Sequence, residues 1–430
     1  MHEGRVGLQD DVDVVGSRDG GRRPTRQDSG AVPDAVAPPP RHPRFPLLDG
    51  MRAIAVLCVL VVHAAVFGGA LGSSFAGRLL AHLNIGVTIF FLISGFLLYR
   101  PFIAHRGGGP APPEVVQYAK RRLLRIYPAY WLVLTVLLII PGITGVAAGE
   151  WWPQYGLAQT LPLHGGSGCT GAILGCGLAQ TWSLVVEMTF YAVLPLYVVA
   201  AARLARGRSV QFWMRAELLL LAALAFISVM VHFVLFDAPG RTWPGGTVIG
   251  YVFWFALGMG MAVASVGLER RERQPAIVRL VASQPLVPWL LALVAYVLLS
   301  LWLPPTPFLL ATDRQVVTHL TFGVIAALLL LPAIFGDWAG GIPRRVLAQP
   351  VVAWLGLISY GIFLWHYVIA VHLGTGGRNS SFAVVLIGTL ALSIPCAAAS
   401  YYLLERPLLR LKYRRLRDVV RVGDRLRRAG

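Results

Sequence analysis

From about residue 45 the chain alternates between apolar runs close to 20 residues long and short gaps where Arg, Gly and Pro collect. A helix of ~20 residues rises ~30 Å, the thickness of a bilayer's hydrocarbon core. Ten such spans can be drawn, roughly at 50–71, 83–104, 125–147, 182–202, 215–236, 247–267, 286–303, 316–335, 351–373 and 381–403. The pattern predicts an all-α polytopic membrane protein of about ten transmembrane helices. Residues 1–44 are rich in Gly, Pro, Asp and Arg, include AVPDAVAPPP, and hold no apolar stretch of signal-peptide length. That composition predicts a disordered cytoplasmic tail and not a cleaved signal. The membrane domain then runs over 45–407, and the closing segment 408–430 is basic with apolar residues at roughly helical spacing. Such a tail suits the anionic inner leaflet.

The distribution of cations gives the orientation. Inner gaps hold five Lys/Arg at 105–125, four at 203–215, four at 269–284 and two at 336–350, and the tail after Leu404 holds ten. The opposite gaps hold only Arg78, Arg241, Arg314 and Arg378. This bias places both termini in the cytoplasm, which an even number of spans satisfies. The net charge of +18 would by itself invite a nucleic-acid reading. The clustering of the cations in gaps between apolar runs, with 56% of residues hydrophobic and 13% charged, argues against it. The four cysteines match no zinc spacing: Cys58 and Cys396 lie inside spans, and Cys169 and Cys176 share one outer loop. A disulfide between the latter two is plausible chemistry outside the membrane, and the sequence leaves it open.

A few polar residues break the apolar pattern. In the first span, FPLLDGMRAIAVLCVLVVHAAVF, Arg52 and His63 are eleven residues apart. At ~100° and ~1.5 Å per residue, that returns to within ~20° of the same face, ~16 Å further along. A guanidinium at the inner edge and an imidazole near mid-membrane therefore share one face. An ionisable group at such depth costs ~2.5 kcal/mol or more unless a partner or a wet cavity receives it. A backbone carbonyl satisfying His63 is the plainer reading, and both stay open for the pair alone. The sequence AKRRLLRIYPAYW brings Arg121, Arg122 and Arg125 into the third span, followed by Tyr127. They read as topology anchors with an aromatic belt, or as an anion site in which planar guanidiniums meet phosphates. Glu187 lies ~9 Å below the outer edge of the fourth span, and His366 ~22 Å above the inner edge of the ninth. His232 and His319 fall near span edges, where interfacial solvation accounts for them. Together the depths predict an inner cationic mouth (Arg52, Arg121, Arg122, Arg125) and an outer acid–base chamber (His63, Glu187, His366).

Six segments, in order, resemble the acyltransferase family 3 membrane O-acyltransferases: LDGMRAIAVLCVLVVH, GVTIFFLISGFLL, RRLLRIYPAYW, TWSLVVEMTFY, SYGIFLWH and LERP. The resemblance runs from about Phe45 to Pro407. It departs from the family pattern only at uncharged positions, Met51 and Val186. It implies transfer of an acyl group, often acetyl, from acyl-CoA to a hydroxyl of a sugar, glycolipid or related natural product, with no metal. Carried over by residue, His63 is the catalytic histidine and Arg52 its essential companion. Glu187 and His366 are further intramembrane polar positions, and Arg121, Arg122 and Arg125 with Tyr127 bind the acyl-CoA. Such chemistry needs a base for the hydroxyl, which a neutral histidine with an ordinary pKa of ~6.5 can be. A secondary transporter is the alternative class, since it too carries intramembrane charges over about ten spans. Acceptor identity, acyl length and oligomeric state are not written in the sequence.

Overall fold

The apolar runs fold as helices and pack around the first of them. In a computed structural model the described residues are 45–112, 114–139, 151–159, 178–235, 248–269, 271–306, 312–336, 340–375 and 380–409. The expected N-terminal tail, most of the basic C-terminal tail and the Cys169/Cys176 loop lie outside them. The helices are α1 (Leu47–Phe67), α2 (Phe75–Ala81), α3 (Ile85–Arg106), α4 (Val115–Ile139) and α5 (Trp151–Gly156). They continue with α6 (Trp182–Ala205), α7 (Val210–Leu235), α8 (Val248–Glu269), α9 (Ala276–Ser283) and α10 (Leu286–Trp302). The remainder are α11 (Thr312–Ile334), α12 (Ile342–Leu347), α13 (Pro350–Leu357), α14 (Ser359–Thr375) and α15 (Phe382–Ser400). Among the described residues there is no strand.

Helix α1 touches α3, α11, α13, α14 and α15. Met51, Ala55, Val56, Leu60, Val62 and Ala64 are wholly buried. An apolar helix with neighbours on several sides has little need of a polar face, which is why its sequence is greasy around the circumference. Close approach elsewhere depends on glycine. A Cβ at Gly95 of α3 would strike the backbone of Phe255 in α8, and one at Gly258 of α8 would strike the backbone of Leu92 in α3. Small residues thus allow the two backbones to meet.

Among the described residues, seven helical segments are long and apolar enough to cross a membrane, and nine if two bent pairs each count as a span. Both bends depart from the expected spans. The ninth span is broken between α13 and α14 by 72°, and α9 lies at 92° to α10 within what the sequence reads as an inner gap. The helix at the expected third span, α4, is not among these candidates, and it starts earlier than that span: it begins at Val115, so Arg121, Arg122 and Arg125 lie two to three turns inside it. Hydropathy ends a span at its first cluster of arginines, whereas the helix continues for as long as those arginines have somewhere to point.

Charges absent from the sequence reading turn out to be buried. Glu217 of α7 is 3% exposed, and it accepts hydrogen bonds from Arg106 Nη1 (2.8 Å), Tyr197 (2.7 Å) and Tyr99. Arg100 of α3 pairs with Glu269, bonds Ser265 Oγ at 3.2 Å and lies over the Phe45 ring. His319 is likewise buried and not at a solvated edge, because α11 starts two turns before it; its ring stacks on Trp254 at 4.5 Å. Arg344 is 1% exposed and donates to the carbonyls of Val281, Ala282, Pro332, Phe335 and Gly340. These oxygens belong mainly to the C-terminal ends of α9 and α11, where carbonyls lack intrahelical donors and a cation is favoured. Replacing Arg344 with Ala leaves several of them unmet in a dry interior, and a cost of about 3 kcal/mol or more is expected. Thermal unfolding of the detergent-solubilised protein measures it; an unchanged midpoint would show the staple to be dispensable.

Candidate functional site

A cavity of about 150 Å³ opens between α1, α3, α4, α6 and α14. Arg52, Arg122 and Arg125 line it, together with Ser94, Glu187, Tyr191, Ser359, Tyr360 and a set of apolar side chains. Arg52 comes from α1 and donates to Asp49 Oδ1 at 2.6 Å, one turn earlier on the same helix. Arg122 and Arg125 are three residues apart on α4 and so share a face. Arg122 lies over the rings of Tyr118 (5.9 Å) and Tyr191 (5.7 Å). Neither arginine has a carboxylate within 4 Å among the described residues, and Arg122 Nε is buried without an acceptor. Arg121, one residue away and turned ~100° around the helix, does not line the cavity. Nor does Tyr127, whose hydroxyl donates to the Gly156 carbonyl at 3.2 Å while its ring packs on Trp131.

Glu187 belongs to this cavity. Its Oε1 accepts from Ser94 Oγ and from Tyr191 OH, each at 2.5 Å. Tyr191 lies one turn beyond Glu187 on α6, so the four-residue spacing was the available signal for it; Ser94 was visible only as a small residue in an apolar run. Tyr360, just after the break before α14, donates to the Ile126 carbonyl at 2.8 Å and ties α14 to α4.

The two histidines form a separate pair. His366 Nε2 lies 3.2 Å from His63 Nδ1, with ring centroids 5.1 Å apart, and the side chains are 0% and 8% exposed respectively. Each Nδ1 also faces a carbonyl one turn back on its own helix, Val59 at 2.8 Å for His63 and Ile362 at 3.0 Å for His366. A carbonyl only accepts, so both Nδ1 atoms carry the proton. The one His63 Nδ1–H is then shared between the Val59 carbonyl, the shorter contact, and His366 Nε2, and His63 Nε2 is the lone-pair nitrogen. Neither histidine lines the cavity; Phe363 does, and its ring lies 5.9 Å from that of His366. Of the expected outer chamber, His63 and His366 therefore come together, while Glu187 joins the arginines. Gln180, which the sequence reading passed over, is 3% exposed and donates to the carbonyls of Phe363 (3.5 Å) and Leu364 (3.2 Å) beside the pair. Among the described residues no group of three or more His, Cys, Asp or Glu could hold a metal ion.

The profile of a family described as acyltransferase domain, the third of that name, matches residues 45–402. The chain is 24% identical over 340 residues to the peptidoglycan O-acetyltransferase OatA of Listeria monocytogenes, covering 75% of this chain and 49% of that one. It is 26% identical to the acyltransferase MdmB of Streptomyces mycarofaciens, over 88% of this chain and 95% of the relative. It is 30% identical to the exopolysaccharide production protein ExoZ of Rhizobium meliloti, over 76% and 89%. The chain thus spans about half the length of the peptidoglycan O-acetyltransferases it matches and most of the length of the other two. No solved structure matches.

Because Ser94 and Tyr191 donate to one carboxylate oxygen, their contributions should be coupled. Ser94→Ala and Tyr191→Phe are each expected to lower stability by roughly 1.5–3 kcal/mol, the range for hydrogen bonds to a charged acceptor. A double-mutant cycle by chemical or thermal unfolding should show a coupling of at least ~0.5 kcal/mol. Strict additivity would mean that the two hydroxyls do not share Glu187.

Proposed function

Because the chain belongs to the acyltransferase family 3 of membrane enzymes, we propose that it moves a short acyl group, acetyl first among them, from acyl-CoA to a hydroxyl of a sugar, glycolipid or related envelope or natural-product acceptor. The observation that carries the donor assignment is the cavity holding three arginines, two of them without a carboxylate partner among the described residues. Guanidiniums left unpaired in a mostly apolar cavity are matched by phosphate oxygens, which accept paired, charge-assisted hydrogen bonds. Arg52, Arg122 and Arg125 hold the CoA phosphates, and Arg121 and Tyr127 on the same helix flank that end. The pantetheine arm then runs along α1 toward His63, a rise of ~16 Å over eleven residues. Relatives named for peptidoglycan and exopolysaccharide support a glycan acceptor. The secondary-transporter reading receives no support from the comparisons.

At the histidine pair, His63 Nε2 takes the proton of the acceptor hydroxyl as its oxygen attacks the thioester carbonyl. His366 Nε2 accepts from His63 Nδ1–H and steadies the imidazolium that forms, the part an orienting group plays beside a general base. As the tetrahedral adduct collapses, the C–S bond breaks, and the proton passes to the departing thiolate. The products are an ester and free CoA.

In the topology we favour, both bent pairs cross the membrane and α4 is added to the nine candidate spans, an even count that keeps the two termini on one side, and the cation bias assigns that side to the cytoplasm. The arginine end then faces the cytoplasm, where acyl-CoA is found, and the enzyme works in the plasma membrane.

Incubating the purified chain with radiolabelled acetyl-CoA and a glycan acceptor fraction tests the reading. His63→Ala should abolish transfer while eluting as a folded protein, and full activity in it would defeat the assignment. Arg122→Gln and Arg125→Gln should each raise KM for acetyl-CoA by roughly tenfold or more, the effect of ~1.4 kcal/mol or more of lost charge-assisted bonding. An unchanged KM in both would remove the phosphate site.

A further inference from the structure

The cavity has two chemically different ends. On α3 its lining runs from Val87 through Phe90, Phe91 and Ser94 to Leu98, eleven residues and ~16 Å along the helix axis. The arginines, Glu187, the serines and the hydroxyls of Tyr191 and Tyr360 supply the polar part of the wall, while Phe90, Phe91 and Phe363 supply its phenyl rings. The phenyl rings lie toward the histidines. Phe363 precedes His366 by three residues on α14 and packs against its ring, and Gly86, beside Val87, abuts Ala55 and Val59 of α1. Val59 in turn supplies the carbonyl that His63 bonds.

This end is closed by rings of unequal freedom. Phe91 is 1% exposed and stacked on Phe255, with centroids 4.6 Å apart and planes at 22°. It is also within ring contact of Trp182, Tyr251 and Trp254. It is a fixed wall. Phe363 has only the His366 ring as an aromatic neighbour among the described residues, and it both lines the cavity and touches one member of the histidine pair.

We propose that Phe363, set against the immobile Phe91, is the residue that measures the acyl group: it admits a two-carbon chain at the histidine end of the cavity and excludes longer ones. The proposal rests on acyl-CoA lying with its phosphates at the arginines, as argued above. An arm fixed at that end brings its thioester to a set height, so every added methylene must displace the Phe363 ring or draw the carbonyl away from His63. One methylene in a shaped apolar pocket discriminates by roughly 10–200-fold.

The test measures kcat/KM for acetyl-, butanoyl- and hexanoyl-CoA, followed by release of CoA thiol from the purified full chain. The wild type should favour acetyl over butanoyl by at least tenfold, and Phe363→Ala should shrink or invert that ratio by tenfold or more. Phe363→Leu, which keeps the site apolar and filled, should shift it in the same direction by less and decides the matter if the alanine variant elutes as aggregate. A wild type that uses hexanoyl-CoA as readily as acetyl-CoA, or ratios unchanged in the folded variants, would overturn the ruler while leaving acyl-CoA as donor intact. Release of thiol from none of the three would instead overturn the donor reading and the ruler with it. A general loss of stability lowers all three rates together and does not move their ratio.

Discussion

A charged side chain in a helix bundle meant for hydrocarbon must be met by something other than water, and the arrangement of this protein follows from how each charge is met. Arg344 is met by the carbonyls of two helix ends, Glu217 by Arg106 and two tyrosines, and Arg100 by Glu269, Ser265 and the Phe45 ring. These groups tie elements together. Arg122 and Arg125 differ: they face a cavity, and no carboxylate stands within 4 Å among the described residues. Retaining such groups costs stability that a closed ion pair would not, and on the proposed reading ligand binding offsets that cost.

The break between α13 and α14 connects the two stations. Ser359 and Tyr360, at the start of α14, line the cavity, and His366 lies seven residues further on, ~10 Å along the helix. The N-terminal end of a 17-residue helix therefore comes to the arginine site, adding its positive dipole end to theirs. On the other side, α1 carries Arg52 and His63 with a ~16 Å rise between them. Two helices rooted at the arginine-lined cavity thus each deliver one histidine to the pair, and both histidines keep the same carbonyl contact one turn back. Because Gly356 of α13 abuts the backbone of Asp49, the broken helix and α1 are also held together at their bases.

How much of this the sequence disclosed depended on whether the signal was local. The shared face of Arg52 and His63 is a matter of helical phase and could be read directly; the helical class and most span positions followed from run length. The grouping of Glu187 could not. Its depth was counted from where α6 begins, whereas its partners are set by the packing of α3, α4 and α6, which one chain's periodicity does not encode. The 72° break also went unseen, since no proline stands within 357–359 and the apolar run is continuous across it. Arg344 looked like a topology signal because positive-inside counting treats every cation in a gap alike. Buried and exposed arginines differ only in what surrounds them.

In the proposed mechanism the orienting partner of His63 is a second imidazole, and not a carboxylate, and the burial of the pair gives a physical reason for it. A carboxylate beside a histidine would hold its partner's proton more firmly, but it would bring a permanent charge into the driest part of the bundle, where an ion costs several kcal/mol even when paired. Two neutral rings avoid that cost in the resting protein. Their tautomers are set by the Val59 and Ile362 carbonyls, so the acceptor nitrogen of His366 and the basic nitrogen of His63 are in place before any substrate arrives. In the proposed transfer, charge appears only transiently, on His63, and His366 is the neighbour 3.2 Å away that would share it. The arginines, by contrast, carry a standing charge, and three of them line a cavity. On the proposed reading, permanent charge at one level and transient charge at the other is the division that would let a single bundle bind a polyanion and still do proton chemistry in an apolar interior.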